Sequence, residues 1–96
     1  MTKKERIRQQ HPQYGKMRIE VAHIIDHFLG GTSDEENLKP MTLPEHLIDH
    51  VTKAMDSDNW QIASRQYGAA HLIASRMTEE ENEIANAMMP KIRRRV

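Results

Sequence analysis

Two capping boxes indicate where two helices of this chain begin. Thr42 is followed by Pro44 and Glu45, and Thr78 is followed by glutamates at 79–81. In such a box the threonine hydroxyl accepts from an amide in the first turn, and the glutamate accepts from the threonine amide. Proline is also tolerated in a first turn. We predict helices from about 43 to 55 and from about 79 to 89, with Pro90 ending the second.

Apolar spacing predicts two more helices, from about 13 to 29 and from about 59 to 76. The first would bury Met17, Val21, Ile24, Ile25 and Phe28. The second would bury Ala63, Tyr67, Ala70, Ala74 and Met77. Gly30 and Gly31 are typical of a helix end. No segment alternates with a period of two, so we predict an all-α fold, a small bundle of about four helices.

The charge is distributed unevenly, although the net charge of the chain is zero. Residues 1–18 carry a net charge of +5, residues 19–60 carry −7 and residues 61–96 carry +2. We therefore predict a flexible basic arm over 1–12, a helical domain over 13–90 and a basic tail over 91–96. A dedicated nucleic-acid-binding domain is usually basic over its folded part, and this one is not.

Composition excludes several classes of protein. A chain of 96 residues is enough for one domain. It has no cysteine, which excludes disulfides, thiolate zinc sites and a catalytic thiol. A small chain without cysteine is typical of the reducing cytoplasm, so we expect a cytoplasmic protein. The N-terminal residues are charged, and the most apolar stretch, 21–29, is interrupted by His23, Asp26 and His27, so we expect no signal peptide and no membrane span.

Catalytic motifs are missing from the sequence. None of the four serines lies in a glycine-flanked elbow, and there is neither a phosphate-binding loop nor a dinucleotide fingerprint. His71 lies four residues before Ser75, a spacing that a surface helix produces by chance. We therefore predict that the protein is not an enzyme and needs no cofactor.

A repeated pentad, His-aliphatic-Ile-Asp-His, occurs at 23–27 and at 46–50. On a helix, histidines four apart share a face, which is a spacing that binds metal ions. The metal candidates are therefore His23, His27, His46 and His50. In the predicted helices the first pair points to solvent and the second flanks the buried stripe. The preferred interpretation is accordingly a solvated surface, with no physiological metal site.

Basic residues at both ends allow a second interpretation, a small dimeric DNA- or RNA-binding regulator. Its phosphate contacts would come from Lys3, Lys4, Arg6, Arg8, Arg93, Arg94 and Arg95. These clusters are short and contain no aromatic residue for base stacking. As a recognition helix, 59–76 would offer only Arg65 and Arg76 as cations, so this function remains the alternative.

The favoured function is a non-enzymatic module that binds and modulates, or inhibits, a larger protein, such as a nucleic-acid-processing machine of a bacterial or phage-infected cell. Tryptophan, tyrosine and arginine dominate interface energies, and methionine adapts its shape. The candidate partner-binding residues are Tyr14, Trp60, Arg65, Leu72, Met89, Ile92, Arg93, Arg94 and Arg95. Trp60 lies off the buried stripe, where we expect it to pack against a neighbouring loop.

Overall fold

The computed structural model describes residues 2–93, and within them every side chain except those of Lys3 and residues 90–93. The described residues form four α-helices and two β-strands. They divide into two compact units, residues 1–42 and residues 43–96. The fold is thus mostly helical, as predicted, but it also contains a small antiparallel sheet.

The first unit contains helix α1 (Lys3–Gln10), strand β1 (Ile19–His23) and strand β2 (Leu38–Thr42). The strands pair antiparallel, with Ile19 opposite Thr42 and His23 opposite Leu38. Helix α1 lies within the segment predicted as a basic arm and buries Ile7. Arg8 donates to the carbonyls of Gly15 and Met17, at 2.9 and 3.0 Å. Segment 3–10 is therefore an ordered helix that holds its own connection to β1.

The helix predicted over 13–29 is wrong. That stretch forms a 3₁₀ turn (Pro12–Tyr14), strand β1 and a second 3₁₀ turn (His27–Leu29). Further along the chain, Leu38–Thr42 forms β2, which the sequence did not predict. Apolar residues of the predicted stripe, including Ile24 and Ile25, are exposed. The helical spacing was coincidental, and Pro40 hid β2 because proline is excluded from central strands but tolerated in an edge strand.

The second unit contains helices α2 (Leu43–Asp56), α3 (Trp60–Arg76) and α4 (Glu79–Arg93). Helix α2 packs against both others. The buried apolar cluster comprises Leu43, Leu47, Ala70, Ile73 and Ala85. The box at α4 is confirmed: the Thr78 amide donates to Glu81 Oε1 at 2.9 Å, and the Glu81 amide donates to Thr78 Oγ1 at 3.2 Å. Asn59 caps α3 by accepting from the amides of Gln61 and Ile62.

Two details of the second unit differ from prediction. Helix α4 continues through Pro90 to Arg93. In α3 the buried polar and apolar positions are Gln66, Ala70 and Ile73, whereas Tyr67 is 49% exposed. The buried face is thus rotated slightly from the predicted one. None of the described helices is long and apolar enough to cross a bilayer.

Candidate histidine sites

A long connection between the strands begins just after His23, includes His27 and is held in place by Asn37. The Asn37 side chain is buried, accepts from the Ile25 amide at 2.8 Å and donates to the carbonyls of Ile25 and Thr32, at 3.0 and 2.7 Å. Within this connection, Gly31 comes so close to Ile25 that a Cβ at position 31 would lie 1.7 Å from the Ile25 oxygen. The backbone from 24 to 37 is therefore held by one amide side chain and one obligatory glycine.

His23 ends β1, and His27 begins the 3₁₀ turn that follows. Their ring centroids are 4.2 Å apart, with planes tilted by 54°. Both Nε2 atoms approach the hydroxyl of Ser33, His27 at 3.2 Å and His23 at 3.5 Å. His27 is exposed and His23 half-buried, so the expectation that the pair points to solvent holds for His27 only. The pair is joined through a hydroxyl group.

The second pair lies on α2 and is arranged differently. His46 and His50 face each other, with 3.1 Å between their Nε2 atoms and 4.8 Å between ring centroids. His50 is only 7% exposed, while His46 is half-buried. His50 Nδ1 lies 2.5 Å from Oε1 of Gln66 on α3, a side chain that is 1% exposed. The second pair is thus a partly buried, hydrogen-bonded cluster.

The spacing of these two Nε2 atoms resembles that of a metal chelate. A tetrahedral zinc ion bound at 2.0–2.1 Å separates two ligand nitrogens by roughly 3.3 Å. The observed separation is 3.1 Å, close to that value. Among the residues that the structure describes, however, no group of three or more His, Asp or Glu side chains converges as a metal site. The candidate metal ligands in the second unit are therefore the imidazoles of His46 and His50.

The aspartate of each pentad contributes less than the sequence suggested. Asp49 lies 3.0 Å from Lys53 Nζ, four residues further along α2, and so pairs along the helix. Asp26 is buried, and its backbone carbonyl accepts from the amides of Leu29 and Gly31. Gln66, by contrast, lies outside the buried stripe that the sequence predicts for its helix. The signal that could have found it is its spacing of four and seven residues from Ala70 and Ile73.

The predicted partner-binding residues differ in their exposure to solvent. Trp60 is 76% exposed and Leu72 61%, so the expectation that Trp60 packs against a loop is wrong. Arg65 is exposed, whereas Met89 is half-buried against the apolar cluster. Tyr14 is half-buried and its hydroxyl donates to the Pro40 carbonyl at 3.2 Å. Outside the described side chains or residues lie Ile92, Arg93, Arg94 and Arg95.

The basic residues proposed to contact nucleic acid are partly engaged inside the first unit. Arg6 forms an ion pair with Glu35, and Arg8 bonds to two carbonyl groups as described above. Lys4 is exposed, and the side chain of Lys3 lies outside the description. A phosphate would therefore have to compete with existing contacts at Arg6 and Arg8.

Comparison with known proteins found no matching family model, no matching curated protein and no matching solved structure.

Proposed function

We propose that the protein binds a divalent transition metal ion, such as Zn²⁺, through Nε2 of His46 and Nε2 of His50. The observation that carries this proposal is the 3.1 Å separation of the two nitrogens, one of them on a nearly buried ring that is hydrogen-bonded on its other side. Imidazole nitrogen suits zinc, nickel and copper, whereas magnesium and calcium prefer oxygen ligands.

Such a metal ion would retain open coordination positions. Structural zinc sites use four protein ligands, and catalytic sites keep at least one position for water or substrate. With two imidazoles as its ligands on α2, the ion would take water or an anionic oxygen atom, such as that of a phosphate, in its remaining positions. Such a centre could polarise the bound oxygen as a Lewis acid. Of the described side chains, this histidine pair has the arrangement that best fits a chemical function. The absence of enzymatic activity remains a prediction.

Metal titration of tag-free protein tests this proposal, because six native histidines make any tag ambiguous. Chelator-treated protein is titrated with Co²⁺, whose visible spectrum reports its ligands, and with Zn²⁺ by calorimetry. We expect one ion per chain and at least about a tenfold loss of affinity in His46→Gln, since even outer-shell changes cost that much. His46 is the less buried ligand, so this variant should keep the fold.

The matched control is His27→Gln, which alters the other pentad at an exposed position. We expect its metal affinity to equal that of the wild type. Equal losses in both variants would mean that surface histidines collect the ion without a built site, and would refute the proposal.

A second candidate, the protein-interaction module predicted from the sequence, is favoured by the exposure of Trp60 and Leu72 on α3. A large exposed tryptophan is typical of an interface anchor. Affinity capture from host lysate, with and without nuclease, tests it. One stoichiometric partner retained after nuclease and lost in Trp60→Ala would support the module. Recovery that depends on nucleic acid would instead favour the DNA- or RNA-binding regulator.

A further inference from the structure

Gln66 and His50 form a buried polar pair where helices α2 and α3 pack together. Gln66 is 1% exposed and is flanked on its own helix by buried Ala70 and Ile73, while His50 lies between Leu47 and Ala54 on the buried face of α2. Two buried polar side chains reduce the stability of a small apolar cluster unless each is hydrogen-bonded. Their mutual hydrogen bond meets that condition and fixes the His50 ring and the Gln66 amide in place.

The direction of this hydrogen bond assigns the tautomer of the neutral His50 ring. With the Gln66 amide in this orientation its Oε1 accepts, and the hydrogen bond places a hydrogen on Nδ1 of His50. A neutral imidazole carries one such hydrogen, and Nε2 of His50 therefore presents a lone pair. The hydrogen between the two rings then belongs to Nε2 of His46. On binding a metal ion, neutral His46 would move that hydrogen to its own Nδ1, with no net proton released.

We infer that Gln66 is a positioning residue for the metal site: it holds His50 in the tautomer whose Nε2 lone pair faces His46. This inference rests on the proposed function. Metal-binding histidines generally donate their second ring N–H to a carbonyl, carboxylate or water, which fixes the tautomer and the ring orientation. Here the acceptor comes from α3, so the site depends on the packing of two helices although both ligands lie on one.

The tautomer of His50 in metal-free protein is the first measurement, read from long-range ¹H–¹⁵N correlations of the imidazole. We expect hydrogen on Nδ1 in the wild type and in Gln66→Glu, whose carboxylate also accepts. We expect that preference to be lost in Gln66→Met, which has no acceptor oxygen. Gln61→Met, an exposed position on the same helix, is the matched control and should keep the wild-type tautomer.

Zinc affinity is the second measurement, made on the same four proteins after circular dichroism has shown that each is folded. We expect about a 10- to 100-fold loss in Gln66→Met, as for other outer-shell positions. We expect no loss in Gln61→Met and rescue in Gln66→Glu. Wild-type tautomer and affinity in Gln66→Met would overturn the inference. Failure of the wild type to bind zinc would refute the proposed function. The positioning of His50 by Gln66 would still stand if His50 carries hydrogen on Nδ1 in the wild type and in Gln66→Glu but loses it in Gln66→Met.

Discussion

The two histidine pentads share one sequence pattern and occupy two different environments. In the first unit, His23 ends a strand and His27 begins a 3₁₀ turn, and the two rings meet at the hydroxyl of Ser33. In the second unit, His46 and His50 lie one helical turn apart, and their Nε2 atoms are 3.1 Å from each other. The first pair lies at the edge of a loop, and the second partly inside a helical core.

The difference shows that spacing along a chain does not define a site until the backbone is known. A four-residue spacing brings two rings together on one face in a helix, whereas in a strand it leaves them about 13 Å apart. Outside a helix, the same spacing brings rings together only if the loop is held by other contacts, here those of Asn37 and Gly31. The outer hydrogen-bond partner also differs, since His50 has a buried amide and the first pair shares an exposed serine.

The largest expected effect is metal-dependent stabilisation confined to one of these regions. Saturation with zinc at about 100 times its dissociation constant should stabilise the site by about 2.7 kcal/mol. Hydrogen exchange followed by NMR should show this protection at amides of α2 and α3, near His50 and Gln66. The zinc-dependent protection should vanish in His46→Gln. Protection of amides in the 24–37 connection instead would show that the first histidine pair, and not the second, binds the ion.

Removal of the Asn37 side chain should affect the other region. Asn37→Ala deletes three hydrogen bonds to backbone groups, each worth about 0.5–1.5 kcal/mol, so we expect a loss of about 2 kcal/mol in unfolding free energy. The exchange of the Ile25 amide, which donates to Asn37, should accelerate. Asn86→Ala, at an exposed position of α4, is the matched control and should change the stability by less than about 0.5 kcal/mol.

Sequence reasoning succeeded where local signals agree with one another. Helices α2, α3 and α4 begin near caps that hydrogen bonding confirms at Asn59 and Thr78, and their predicted starts are correct to within a residue. Apolar periodicity failed over 13–29, because strand β1 is short and its burial does not alternate. Strand pairing is a contact between distant residues, and β2 carries a proline that disguised it.

The histidine cluster escaped prediction for a related reason. The sequence predicts His50 beside the buried stripe of α2 and leaves Gln66 outside the predicted stripe of α3, whereas both lie on the buried faces of their helices. A stripe drawn from apolar residues alone passes over a polar pair that packs inward. Only the pairing of two helices reveals that each polar group satisfies the other, and no single helix carries that information.

The final comparison makes one substitution, glycine to alanine, in each region. Gly31→Ala places a Cβ 1.7 Å from the Ile25 oxygen, so the connection must shift. Overpacking of this kind costs about 1–3 kcal/mol, which urea unfolding would detect. An unchanged midpoint would show that the 24–37 connection yields easily, and it would remove the contrast between a loop held in one arrangement and a helix that tolerates change.

Gly68→Ala should have the opposite sign. Gly68 lies in the middle of α3, and a Cβ there would have no described atom within 4 Å apart from its chain neighbours and the adjacent backbone of its own helix. Alanine favours a helix interior over glycine by about 1 kcal/mol, so the variant should be more stable by up to that amount. Urea unfolding should show a higher midpoint with an unchanged slope. Destabilisation would mean that the added methyl group meets a neighbour in the folded chain, and it would contradict the open space found at Gly68.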